Sequence, residues 1–390
     1  MNNKLKLAVA AALVAGASSA QAGITIPAGD WTLDIGGVVN AYYTSTSFSG
    51  DDAAAGEFGN GDTVNNITTG LLPNYLSVSG KTRQNDLDVA FTISINPGAS
   101  TKNAGVQGSQ QENRQAFLTF GDASWGSIKL GKDLGIYASD AILNDMTLLG
   151  VGSAAGSLAG NTTTLGRIGR GFMYADWKSQ VAYTSPNFNG FNFTVGATQG
   201  WNALGDNVSS QRSGSQSAYE GKASYSWTGD VAGKVWASFI SQKVEGLAVG
   251  GDDRATAYDM GATVNVAGFG LTGYYGKGDG IGKTVQLAGA FDAAGKSRDS
   301  DQWYVQATYV LPTATKIGAS YGESNLEGTS ADTFKDNTSD MWTVGAYHPI
   351  TKHLNLVAEY SVATDDVNNR NTADTDVKAK TISLGAILFF

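Results

Sequence analysis

Residues 86–95, DLDVAFTISI, alternate strictly: Leu87, Val89, Phe91, Ile93 and Ile95 fall on one face, and Asp86, Asp88, Ala90, Thr92 and Ser94 on the other. FNFTVGAT repeats the pattern, setting Phe191, Phe193, Val195 and Ala197 against Asn192, Thr194, Gly196 and Thr198. DQWYVQATYVL sets Trp303, Val305, Ala307, Tyr309 and Leu311 against Gln302, Tyr304, Gln306 and Thr308. Successive side chains of a strand point to opposite faces, so a period of two over this length predicts a strand with one apolar face. Sixteen such segments fall near 31–43, 72–81, 86–95, 113–121, 126–132, 177–185, 190–200, 218–228, 231–243, 255–266, 269–278, 301–311, 315–323, 339–349, 354–364 and 378–390.

The connections sort by length. RQND, DASWG, PNFNG, TGD, AG, PTA and TKH are short. The others, 44–71, 96–112, 133–176, 201–217, 244–254, 279–300, 324–338 and 365–377, are long. An even number of strands, with short turns at one end and long loops at the other, predicts an all-β, antiparallel transmembrane barrel of sixteen strands. A tilted strand crosses a bilayer in about 9–11 residues, which these segments match. A soluble sandwich also alternates, but its turns have no reason to sort by length. Composition agrees with many strands and tight turns: 51 Gly, 16 Tyr, 15 Phe and 8 Trp against 6 Pro. There is no cysteine, so backbone ladders and packing must hold the fold.

The first residues, MNNKLKLAVAAALVAGASSAQA, join a basic start (Lys4, Lys6) to an apolar stretch and then Ala20-Gln21-Ala22. This is the pattern of a signal peptide over 1–22, which leaves 23–390 as one barrel domain. Without Lys4 and Lys6 the chain carries 24 basic against 35 acidic residues, a formal charge of −11. That excludes a basic nucleic-acid footprint.

Aromatic residues separate a membrane barrel from a soluble one. Tyr43, Trp177, Tyr258, Tyr275, Trp303 and Trp342 sit where strands meet long loops. Trp31, Phe191, Trp227, Tyr309 and Phe390 sit where strands meet short turns. Two bands are what the two membrane interfaces select. The chain's last stretch, KAKTISLGAILFF, places Ile382, Leu384, Ala386, Leu388 and Phe390 on one face, with Lys380 at its far rim. An apolar end suits a strand that faces lipid and closes the barrel against the first one, leaving no edge in hydrocarbon.

At these residues the sequence resembles the Gram-negative general porins. TISLGAILFF, ending on Phe, is similar to their C-terminal assembly signal; SQVAYTSPNFNGFNFTVGAT (179–198) resembles their strand–turn–strand hairpin. WGSIKLGKD (125–133) resembles the strand that feeds their pore-constricting third loop. The resemblance implies an outer-membrane homotrimer whose water-filled pores pass ions and small hydrophilic solutes by diffusion. It implies a third loop folded into the lumen and a second loop, here 96–112, that latches a neighbouring subunit. The implied partners are the lipid bilayer with its lipopolysaccharide and the barrel-assembly machinery, with no cofactor and no metal.

The longest connection, 133–176, contains AILNDMTLLGVG, which is apolar enough to want burial. A loop of this length is expected to be functional, and a large barrel needs something to narrow it. Its charges are Asp140 and Asp145, then Arg167 and Arg170. Wall charges with inward parity are Lys81, Lys129 and Lys178; Arg83 falls near a turn. Arg114 shares the parity of Ala116, Leu118 and Phe120 and so points outward unless a bulge intervenes, but is kept because porin eyelet arginines lie on this part of the wall. These nine are the candidate constriction residues. A net charge of −11 favours cations, whereas Arg167, Arg170 and the wall lysines favour anions at the narrowest point, and the local charges are expected to rule.

Enzymatic chemistry has little to stand on. His348 and His353 flank a short turn, HPITKH, and lack the further ligands of a zinc site. GKGDGIGKT (276–284) misses the phosphate-loop spacing by one residue. The rivals to a channel are a plugged or gated receptor or adhesin barrel and, less well supported, a barrel protease or lipase.

Overall fold

The computed structural model describes residues 23–51, 61–100, 111–153, 163–202, 213, 216–247 and 251–390. The expected signal peptide, 1–22, and the middle of the second loop, 101–110, lie outside them. Among the described residues nineteen strands follow in order: β1 (Ile24–Ala28), β2 (Trp31–Gly50), β3 (Thr63–Thr68), β4 (Tyr75–Gln84), β5 (Leu87–Pro97), β6 (Gln111–Glu112), β7 (Ala116–Asp122), β8 (Gly126–Leu134), β9 (Trp177–Thr184) and β10 (Phe191–Thr198). The rest are β11 (Ala218–Trp227), β12 (Val231–Val244), β13 (Asp253–Val266), β14 (Phe269–Asp279), β15 (Asp299–Val310), β16 (Lys316–Glu327), β17 (Phe334–Pro349), β18 (Leu354–Asn369) and β19 (Thr375–Phe389).

Sixteen of these close a ring: β2, β4, β5, and β7 through β19, each antiparallel to its neighbour, with β19 returning to β2. They are the sixteen strands expected from the alternation. The remaining three are short additions. β3 pairs with the loop end of β2, and β6 with the end of β5. β1 pairs with Trp31–Ile35 on the edge of β2 that β19 occupies further along, so the two lie end to end. At that seam Gly37 and Phe390 exchange backbone hydrogen bonds of 2.8 and 3.1 Å. A Cβ on Gly37 would stand 2.2 Å from the Tyr75 carbonyl oxygen, so only glycine fits. Ring closure leaves no unpaired edge, the condition for a sheet in hydrocarbon.

The short connections are tight because their residues reach left-handed conformations. Asn85 and Asp86, with φ of 49° and 61°, join β4 to β5. Ala267 and Gly268, with φ of 48° and 87°, join β13 to β14. Positive φ at both central positions matches the right-handed twist of the flanking strands.

The faces are inverted relative to a soluble protein. Ile93, Val195, Leu271, Val305, Ile382 and Leu384 are exposed, while Ser94, Thr198, Gln302, Thr343 and Ser383 are buried. Both aromatic ends are populated by ring pairs. Trp31–Phe91 (5.8 Å) and Phe269–Tyr309 (4.4 Å) lie at the turn end. Trp303–Tyr321 (5.4 Å) and Trp342–Tyr360 (5.3 Å) lie toward the loop end. The strands outrun the second band: β2 continues from Tyr43 to Gly50, and β17 begins at Phe334, well before Trp342. Polar residues take over there, and the hydrogen-bonded ladder continues beyond the apolar zone.

Candidate functional site

The third loop leaves β8 at Leu134, crosses the lumen and returns at Trp177. Among its described residues Ser139–Asn144 form a short helix, and Met146–Leu149 a 3-10 turn. Two buried carboxylates on the wall hold it. Glu220 of β11 accepts the backbone N–H groups of Ile136 (2.8 Å) and Tyr137 (2.9 Å), just after the loop begins. Glu359 of β18 accepts those of Val151 (2.8 Å) and Gly152 (2.9 Å), further along it. A buried carboxylate needs several donors, and these backbone amides supply them. The remaining oxygens are used as well: Glu220 also takes Lys178 Nζ and Thr198 Oγ1, and Glu359 takes the Tyr347 hydroxyl at 2.6 Å.

Between these grips, large side chains on the inward face carry the loop. Tyr304 donates to the Ala141 carbonyl (2.9 Å), and Tyr42 to that of Leu149 (2.8 Å). Gln306 accepts from Met146 N (2.6 Å) and donates to the Asn144 carbonyl (3.1 Å). Trp236, Tyr274 and Tyr304 of the wall form one buried cluster with Ile142, Leu148, Ile168 and Phe172 of the loop. The apolar run that wanted burial is therefore buried against wall strands, inside the barrel.

A second loop folds in. Between β14 and β15, Ile281, Leu287, Ala290 and Phe291 pack with Tyr137 and Met173 of the third loop. Lys283 is buried and donates to the Asn337 carbonyl (2.9 Å), Asn337 Oδ1 (2.8 Å) and Ser339 Oγ (2.7 Å) of β17. Asp176 Oδ2 joins three loops by accepting from Trp201 Nε1 (3.0 Å) and Gln286 Nε2 (2.9 Å). Further out, Arg298 makes a two-armed contact with Asp332, and Asp292 accepts from Thr329 Oγ1 (2.5 Å). The Thr329 hydroxyl and the Lys296 amide hold the Asp292 carboxyl below its ordinary range; Arg298 does the same for Asp332.

Among the described residues a cavity of about 930 Å³ lies between the third loop and the wall from β4 to β11. It follows β9 from Trp177 at the loop end to Thr184 at the turn end. Seven residue steps at ~3.3 Å make about 23 Å along the strand, which at the ~45° tilt of such strands is about 16 Å along the membrane normal, roughly half of a bilayer's apolar thickness. Its charged lining is Arg114, Lys129, Lys132 and Lys222 against Glu112, Asp133 and Asp176.

The nine expected constriction residues fall in different places. Asp140 is buried against the wall, where it meets Lys222 (3.2 Å) and Lys234, so an acidic loop residue does contact a basic stretch of wall. The basic partners are those two lysines of β11 and β12, which the alternation alone did not single out. Asp145 caps the 3-10 turn through Thr147 N (3.0 Å) and stands 3.8 Å from Arg167 Nε. Arg167 is fully buried, donating to the Met341 carbonyl (2.7 Å) and to Ser320. Arg170 reaches Asp365 of β18. Lys129 lines the cavity beside Asp133, whereas Lys178 is buried on Glu220 and stacks over the Trp201 ring at 3.8 Å. Lys81 is exposed on β4, and Arg83 bridges Asp88 and Asp122 (both 2.8 Å) at the turn end. Arg114 precedes β7, which starts at Ala116, so strand parity does not govern it; it turns to the cavity, with Glu112 at 2.7 Å and the Trp177 ring at 5.7 Å. Trp177 is thus at the cavity margin as well as at a strand end.

Residues 7–369 match the family described as Gram-negative porin. No curated protein matches the chain in sequence. Among solved structures it is similar to the outer membrane channel DcaP of Acinetobacter baumannii: 16% identity, 95% of this chain and 100% of that one, TM-score 0.68. An anion-selective porin from Comamonas acidovorans matches at 15% identity over 92% of this chain and 100% of its own, TM-score 0.63. OmpF of Salmonella typhi, in complex with daunomycin, matches at 19% over 93% and 100%, TM-score 0.59. A closed sixteen-strand barrel with an inward loop, matched by the family over nearly its whole length, places this chain in the Gram-negative porin family.

Proposed function

We propose that the chain forms an outer-membrane diffusion channel whose conducting path is the cavity beside the third loop. The observation that carries this reading is that cavity: it follows the length of β9 within a barrel whose other side is filled. Low-dielectric walls focus the field of its charges, so Lys129, Lys222 and Arg114 set which ions are favoured. The grouping of Lys129, Lys222 and Arg114 on the wall supports a preference for anions. Family and fold support a channel over an enzyme.

The reading extends to assembly. Export by the signal peptide 1–22, insertion by the barrel-assembly machinery through β19, lipopolysaccharide around the loop-end aromatics, and a homotrimer latched by 96–112 are its parts. Planar-bilayer recording of the purified protein tests the channel. Openings in steps of three, with a reversal potential of anionic sign across a KCl gradient, are expected. A folded, heat-modifiable barrel that passes no current would overturn the open pore in favour of a plugged or gated one.

A further inference from the structure

The cavity has two chemically different sides. Leu72, Leu143, Leu165, Tyr174 and Val285 are each half-buried, pack on the same buried cluster, and line the cavity. The flank of the loop's own core is therefore an apolar stripe facing the lumen. Across from it, the barrel wall presents Lys129 from β8 and Lys222 from β11, with Arg114 just before β7. Water diffusion requires no such stripe, and polar lumen faces are the rule in barrels of this kind.

We propose that this pore favours small organic anions with an apolar group, aliphatic or aromatic monocarboxylates, over inorganic anions and over uncharged polyols of similar size. This rests on the channel reading above. The carboxylate of such a solute takes charge-assisted hydrogen bonds from the lysines. Its hydrocarbon part leaves water against the leucines. An inorganic anion has only the first interaction. A polyol turns hydroxyls to the stripe and loses water there with no partner in exchange. An extra ~55 Å² of apolar area removed from water, at ~25 cal/mol per Å², is about a tenfold gain in occupancy. That is weak enough to let the solute leave.

The test uses the purified full chain in a planar bilayer in KCl, with acetate or hexanoate added to one side and the chloride current recorded. Both probes carry one carboxylate, so they differ in hydrocarbon alone. Hexanoate is expected to halve the current at about one-tenth of the acetate concentration. In Leu143→Asn with Leu165→Asn the two concentrations are expected to converge. Heat-modifiable mobility verifies folding, and Val285→Ser, from the other inward loop, is read the same way if the double variant does not fold. Equal block by acetate and hexanoate in the unaltered protein overturns the inference, as does an unchanged ratio in a folded variant. Both leave the channel itself standing; absence of current in KCl alone would remove the channel reading instead.

Discussion

The wall from β12 to β18 and the wall from β4 to β11 are built of the same alternating strands, yet one is covered and the other looks onto a cavity. The covered wall turns Trp236, Tyr274, Tyr304 and Tyr347 inward and holds the third loop with Glu359, Gln306 and the carbonyl of Met341. The open wall carries Lys129, Gln180 and Thr194, which are solvated or paired with their own neighbours. Glu220 of β11 stands at the boundary and binds the loop where it leaves the open side. The cavity's position thus follows from which wall offers the loop apolar area and hydrogen-bond partners.

The strongest way to break this division is to remove both wall carboxylates. Glu220→Ala with Glu359→Ala orphans four backbone N–H groups and the Lys178 ammonium. Hydrogen bonds to charged groups are worth about 1.5–3 kcal/mol each, so the loop should leave the wall in a large share of molecules. Protease cleavage within 133–176 and noisy, altered single-channel conductance are the readouts; a protected loop would refute the two-point grip.

Arg167→Ala comes next. It leaves Asp145 buried without its cation, a loss of about 3–5 kcal/mol for breaking a buried pair. Thermal unfolding should fall while ion preference stays, because Arg167 has no contact with the open lumen. A change in reversal potential with unchanged stability would place this arginine in the conducting path instead.

The lysines sharpen the other side. Lys129→Gln with Lys222→Gln should move the reversal potential toward cations by a few-fold in permeability ratio, whereas Lys283→Gln, on the covered side, should not. An equal shift from both would erase the distinction between the two walls.

The smallest effect concerns the outer clasp. Asp292 and Asp332 are held below their ordinary value of 3.8, so their contribution is complete above that value. It is lost as pH falls through the lower folded values, because the carboxylates must then take up protons. Limited proteolysis of 289–332 should be unchanged from pH 7 to about 5 and rise only below pH 4. Loosening near neutral pH would mean that another group governs the clasp.

Much of this architecture was legible in the chain. Period two placed all sixteen barrel strands, because a residue shifted by one would move every apolar side chain from lipid to lumen. Connection lengths placed both ends, and the quoted hairpin and closing strand pointed to the family. The burial of AILNDMTLLGVG was also readable, as an apolar run too long to leave in water. One signal passed unused: Tyr304 stands on the polar face of DQWYVQATYVL, where a large ring has no reason to be unless something packs on it.

Sequence alone determined the strands, their faces and the closure, since these depend on neighbours one and two residues away and on ladders between adjacent strands. Tertiary structure decided the site. Whether Arg167 meets water or Asp145, whether Lys178 faces the pore or Glu220, and which lysines oppose Asp140 depend on contacts between residues 22 to 174 positions apart. Charge type is visible in a sequence, but the partner that neutralises it is fixed only when the loop comes to rest against one wall.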